Sequence, residues 1–169
     1  MHTVSNRANT ALTFFGTVAA VLCVLVTITD VFHQSNPAIS VQLEEVKKLS
    51  LHRGKQDQVA LALKLDADLR SEFSWNTKQL FVFVQAEYVT PENKVNQVVL
   101  WDRIVQRQKD AHLKVRSMRL KYPFIDQGKN LRGLPYNITV AWDVMPKVGR
   151  LFIRSKSFPM DPLPADYIA

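Results

Sequence analysis

From Ala11 to Thr29 the chain reads ALTFFGTVAAVLCVLVTIT, 19 residues without a charged side chain. At about 1.5 Å per residue a helix of that length spans roughly 28 Å. The hydrocarbon core of an endoplasmic reticulum (ER) bilayer is about 27 Å thick. A helix buried in a soluble core normally carries some polar stripe, and this run has none. A cleavable signal peptide has an apolar stretch of only about 7–15 residues, closed by a small-x-small site. This run is longer and ends Thr27-Ile28-Thr29-Asp30, a poor site. The segment is expected to stay as a membrane anchor.

The flanks orient it. Arg7 and the amino terminus precede the run; Asp30, Glu44 and Glu45 follow it, with no Lys or Arg before Lys47. Positive charge stays cytosolic. The expected organisation is a cytosolic N-terminus (1–10), a transmembrane signal-anchor helix (11–31) and a lumenal domain (32–169). Within the helix, Thr13, Gly16, Thr17, Ala20 and Cys23 recur at spacings of three and four. Gly16-x-x-x-Ala20 fits the small-xxx-small pattern that lets two helices approach closely, so Thr13, Gly16, Thr17 and Ala20 form a candidate helix-packing face. The plainer alternative is that the threonines bond their own helix carbonyls.

Beyond Ile39 the hydrophobic period becomes two. Val59, Leu61, Leu63, Leu65, Ala67 and Leu69 alternate with smaller or polar residues, the mark of a strand with one buried face. Leu80–Val84 is a continuous apolar run, read as a central strand. Ile39–Leu51, Gln97–Val105, Asn137–Met145 and Leu151–Phe158 read as further strands. His52-Arg53-Gly54-Lys55, Thr90-Pro91-Glu92-Asn93, Asp126–Asn130 and Pro146-Lys147-Val148-Gly149 supply turns. The stretch from Asp102 to Leu120 is ambiguous and has room for a helix. Strands at this spacing predict a mainly β lumenal domain, an antiparallel sandwich.

Residues 1–30 hold one basic and one acidic side chain, so the net charge of +7 belongs to the rest of the chain. No block of five like charges occurs, and a solvated basic surface accounts for the excess. Lys114, Arg116, Arg119 and Lys121 cluster among apolar residues; nucleic-acid binding fits their charge but not a lumenal location. Headgroup or subunit contact fits better, and edge-strand gatekeeping better still. The only cysteine, Cys23, lies in the apolar run, which leaves the domain without disulfides or thiolate metal sites.

No catalytic set emerges. His2, His33, His52 and His112 have no i, i+4 partner, and neither a G-x-S-x-G elbow nor a Gly-rich phosphate loop occurs. Ser50, Ser117 and Ser155 each lie near Lys or Arg in ordinary basic segments. Asp66 and Asp68 share one strand face, but a calcium site needs more oxygens than two carboxylates give, and a solvated face explains them better. No cofactor or metal is expected. Asn137-Ile138-Thr139 is the single N-glycosylation sequon, and a lumenal location makes Asn137 a candidate acceptor.

Several strings carry a family resemblance: Trp75-Asn76-Thr77-Lys78-Gln79-Leu80-Phe81, Ala86-Glu87-Tyr88, and Asn96-Gln97-Val98-Val99-Leu100-Trp101-Asp102. The start, with Thr3, Val4, Arg7, Ala8 and Asn9, contributes, as do Lys121-Tyr122-x-Phe124 and the sequon before Ala141-Trp142. Together these resemble the subunit 3 family of the signal peptidase complex. The resemblance implies an ER-membrane glycoprotein with one anchor and a lumenal domain. It further implies a non-catalytic accessory that works beside a separate serine-protease subunit and meets nascent preproteins only indirectly. On the bare fold, a membrane-anchored recognition or adhesion domain is the alternative.

Overall fold

The computed structural model describes residues 3–168; Met1, His2 and Ala169 lie outside the described residues. Helix α1 spans Val4–Val31, so it begins seven residues before the apolar run and takes in Asn6, Arg7 and Asn9. Thr3 caps it: the hydroxyl accepts from the Asn6 amide at 3.3 Å. No residue of α1 is buried by the rest of the protein, and it is the one helix among the described residues long and apolar enough to cross a membrane. Its threonines fit an apolar medium because their hydroxyls donate to their own helix: Thr13 to Asn9 O at 2.9 Å, Thr17 to Thr13 O at 3.0 Å and Thr27 to Cys23 O at 2.9 Å.

Among the described residues eight strands follow: β1 (Ala38–His52), β2 (Gln56–Asp68), β3 (Thr77–Tyr88), β4 (Asn96–Val105), β5 (His112–Arg119), β6 (Phe124–Ile125), β7 (Tyr136–Pro146) and β8 (Phe152–Met160). They form two antiparallel sheets. In sheet A the order is β1-β2-β5, with β6 also on β2; in sheet B it is β4-β3-β7-β8. The period-two pattern builds the core between them. Leu61, Leu63 and Leu65 of β2 face Leu80, Val82 and Val84 of β3 and Ile138 and Val140 of β7 in one cluster. Leu63 and Leu80 are fully buried; burying such a side chain contributes about 1.5–3 kcal/mol. The β1–β2 turn works because Arg53 and Gly54 both take positive φ, 50° and 73°.

Between Asp102 and Leu120, where the sequence leaves room for a helix, the chain instead finishes β4, makes a short 3-10 turn at Gln108–Asp110 and enters β5. β5 pairs with β2 across a register shift opposite Leu63 and Leu65, which puts Leu113 and Met118 into the core. That shift breaks the alternation and hides the strand from a period-two reading. β5 is an edge strand, as its charges suggested.

The end of the sandwich remote from α1 is closed by buried carboxylates. Asp126 accepts from the Tyr88 hydroxyl at 2.9 Å and from Gly128 N at 2.9 Å. Asp57 accepts from Leu131 N at 3.1 Å and from the Tyr167 hydroxyl at 2.9 Å. These bonds tie the 126–131 loop to β2 and β3 and the C-terminal tail to β2.

Candidate functional site

The strand directions place His33–Ala38, the Asp68–Thr77 segment and the β7–β8 turn (residues 147–151) at the end of the sandwich where α1 leaves it. There the helix is fastened to the domain by side chains. Asp30, the first charge after the apolar run, accepts from the Ser74 hydroxyl at 3.0 Å and from Asn76 Nδ2. Asn76 is 1% exposed. Its Nδ2 also donates to Val148 O at 2.8 Å, its Oδ1 accepts from Val148 N at 3.2 Å, and its backbone oxygen accepts from Lys147 N at 2.7 Å. One amide thus joins helix, loop and turn. His33 Nε2 bonds Ser71 O at 2.9 Å. The buried Glu72 carboxylate accepts from Arg154 at 3.1 Å, and Arg154 also donates to Ser35. Gly149 makes the close approach: its φ is +120°, and a methyl group there would come 3.1 Å from the Thr27 hydroxyl oxygen.

Thr27 continues the stripe of Gly16, Ala20 and Cys23 at the same three-and-four spacing. At the upper end of that stripe the chain's own turn stands against Thr27 through Gly149, and Val148 and Gly149 line a groove with Thr27 and the exposed Cys23. The lower part is open: among the described residues nothing beyond the helix's own backbone comes within 4 Å of where a Cβ on Gly16 would stand. The Thr13 and Thr17 hydroxyls are committed to their own helix, so the open surface is offered by small size rather than by hydrogen bonding.

The two outer faces of the sandwich differ in kind. On sheet A, Ser40, Gln42, Lys64, Asp66 and Lys114 face solvent, the ordinary pattern for an antiparallel sheet. On sheet B the row across the strands reads Ile104, Phe81, Asp143, Ile153, and the next reads Asp102, Phe83, Ala141, Ser155. Phe81 and Phe83 are partly exposed with ring centroids 5.5 Å apart, and Ile104 and Ile153 are 53% and 70% exposed. Asp143 sits among them 8% exposed, and its Oδ1 has no hydrogen-bond partner among the described residues. The outer face of sheet B thus carries an apolar patch around a carboxylate oxygen left unsatisfied among the described residues.

The remaining candidates lie apart from this face and from one another. Asp68 is held by Arg70, which keeps its carboxyl well below the usual range, at about 2. Asp66 accepts from His112 at 2.8 Å and lies 3.4 Å from Lys114; the His112 hydrogen bond leads in lowering its pKa. Both carboxylates therefore spend their oxygens on neighbouring side-chain donors. Lys121 pairs with Asp102 at 2.8 Å, while Arg116 and Arg119 project from β5 into solvent. Ser50, Ser117 and Ser155 are scattered over β1, β5 and β8. Asn137 is exposed on the outer face of sheet B, in the row of Glu87 and Pro159, six residues along β7 from Asp143.

Known proteins align with the chain along nearly its whole length. A family model described as signal peptidase subunit matches residues 1–164. The chain belongs to that family.

Signal peptidase complex subunit 3 of Gallus gallus is 37% identical over 99% of this chain and 97% of its own length. The Homo sapiens protein of the same name is 36% identical, covering 89% of this chain and 87% of the relative. That of Dictyostelium discoideum is 34% identical, covering 89% and 88%. For a signal peptidase subunit the features in place are structural: an anchor, a fixed joint and an uncovered sheet face. Sequence reasoning found the anchor but missed the joint, although Asp30 standing alone after the run was a signal. It also read Leu80–Val84 as a central strand. As the strand between β4 and β7, β3 is central, but the side bearing Phe81 and Phe83 is uncovered.

Proposed function

We propose that this chain is a non-catalytic accessory subunit of the ER signal peptidase complex. It braces the catalytic subunit that removes signal peptides from nascent secretory proteins. The observation that carries the reading is the outer face of sheet B, where Phe81, Phe83 and Ile104 surround the unpartnered Asp143 Oδ1 on a protein of this family. The proposed occupant is the lumenal domain of the protease subunit, seated on Phe81, Phe83 and Ile104. The open Gly16 and Ala20 stripe lies on the β7–β8 side of α1, so a membrane helix of the same partner fits beneath that sheet face. The N-terminus is cytosolic and the sandwich lumenal, with Asn137 as the glycan site. Along β7 the six residues from Asp143 to Asn137 span about 20 Å, which keeps a glycan clear of the apolar rows.

Affinity capture of the full chain from ER membranes in mild detergent tests this. The wild type should bring down a serine-protease subunit in stoichiometric amount together with preprotein-cleaving activity. That activity should survive Ser50→Ala, Ser117→Ala and Ser155→Ala. The pair Phe81→Arg and Phe83→Arg should release the protease while the chain stays folded and inserted. Full retention by that variant would move the interface elsewhere, and a wild-type chain captured alone would sink the accessory reading.

A further inference from the structure

The β7–β8 turn meets α1 at a depth that matters. Gly149 stands against Thr27, and Val148 lines the groove beside Cys23 and Val24. At about 1.5 Å per residue, Thr27 lies roughly 4.5 Å and Cys23 about 10 Å toward the cytosolic side of Asp30 along the helix. Crossing about 27 Å of ER hydrocarbon takes about 18 helical residues, and the uncharged run offers 19. The run has no slack from which to lift Thr27 clear of the bilayer. A turn held at Thr27 therefore reaches the lipid surface.

The residues there suit that place. Trp75 is 63% and Leu151 58% exposed, and Val31 and Phe32 at the helix exit are 72% and 78% exposed. Lys147 donates to Trp75 O at 3.2 Å, which holds the two loops as one unit, and the Arg150 guanidinium lies 4.9 Å from the Phe152 ring centroid. Among the described residues neither Lys147 nor Arg150 forms an ion pair. An exposed tryptophan and leucine flanked by unneutralised cations at a membrane exit is the composition of an interfacial anchor.

We propose that the β7–β8 turn and Trp75 are embedded in the headgroup layer of the lumenal leaflet. Trp75 and Leu151 enter the acyl boundary, while Lys147 and Arg150 contact lipid phosphate. The domain then rests on the bilayer at two points, α1 and this turn, and does not stand off on a single stalk.

Depth measurement by spin label tests it on the full chain in phosphatidylcholine–phosphatidylinositol liposomes. In a Cys23→Ser background, Leu151→Cys carries the nitroxide, and Lys55→Cys at the remote β1–β2 turn is the reference. The Leu151 label should be accessible to oxygen and several-fold less accessible to a water-soluble nickel chelate than the Lys55 label. Adding Lys147→Glu and Arg150→Glu should raise chelate access at Leu151. Equal chelate access at the two labels would overturn the proposal. So would a Leu151 label shielded from both oxygen and chelate in the purified complex, which would assign the turn to a subunit contact. The liposome readout does not depend on the accessory role, because that arm contains this chain alone.

Discussion

Asp30 at the end of the membrane helix and Asn76 in the loop before β3 are joined by a hydrogen bond, and the same Asn76 amide grips the β7–β8 turn through both Val148 O and Val148 N. Removing that amide strands several buried groups at once. Asn76→Ala should destabilise the domain by about 2–3 kcal/mol, since each unsatisfied buried polar group costs about 1–3 kcal/mol and neighbouring losses do not add fully. Urea unfolding of the full chain in detergent reads this. A change under half a kcal/mol, the scale of ordinary surface substitutions, would mean the amide is dispensable.

Gly149→Ala should loosen the same joint for two separable reasons. The φ of +120° is strained for any residue with a Cβ, and the new methyl meets Thr27 at 3.1 Å. Thr27→Ala combined with Gly149→Ala should restore the steric part of the loss and leave the backbone part. A double-mutant cycle in melting temperature measures the two; strict additivity would show that the approach to Thr27 is not a real constraint.

Acid should act on Asp68. Arg70 holds its folded pKa at about 2, below the unfolded value of about 3.9. As pH falls the unfolded chain takes up the proton first, so the contribution is complete above the unfolded value and disappears as pH drops through about 2. The urea-midpoint gap between wild type and Asp68→Asn should be flat above about pH 5 and close toward pH 2. A gap that persists at low pH would trace the effect to something other than the carboxylate charge.

Tyr88→Phe removes the hydroxyl that donates to Asp126. Burial, followed by that carboxylate, pushes the Tyr88 pKa well above its ordinary value. Asp126 keeps Gly128 N and Asn130 on its other oxygen, so the expected cost is about 1–2 kcal/mol, not a collapse. Amide exchange should quicken in the 126–131 loop before it changes in β3; uniform acceleration would show that the bond serves the whole sandwich.

Glycosylation of Asn137 should be possible only early. The acceptor side chain is exposed, but Thr139 is 2% exposed and its hydroxyl lies 2.7 Å from Ser157 on β8. Asn137→Gln should abolish a glycan-dependent mobility shift, and chains truncated before β8 should be modified readily by ER membranes. The folded full chain presented afterwards should stay unmodified, and efficient late modification would show that β8 opens.

The anchor, six strands and the turns between them could be read from the sequence because each rests on a local signal: the charge-free run, the period-two alternation of Val59 to Leu69, and Gly and Pro at the turns. β5 escaped because its register shift against Leu63 and Leu65 breaks the period. The joint escaped because Asp30, Asn76 and Val148 are far apart in the chain and meet only when the sheets close. The sheet B face lay partly in view: Phe81 and Phe83 alternate with Leu80, Val82 and Val84, yet sequence alone does not tell a strand buried on both sides from one awaiting a partner.

The joint also converts helix rotation into domain bearing. With Asp30, Thr27 and Asn76 clamped, the sandwich has no swivel, so the azimuth of α1 in the membrane sets the compass direction of the sheet B face. At 3.6 residues per turn, one residue inserted between Ala20 and Thr27 swings the whole domain by about 100° relative to the helix below it. The length of that short segment, as much as its composition, decides which neighbour the face can meet.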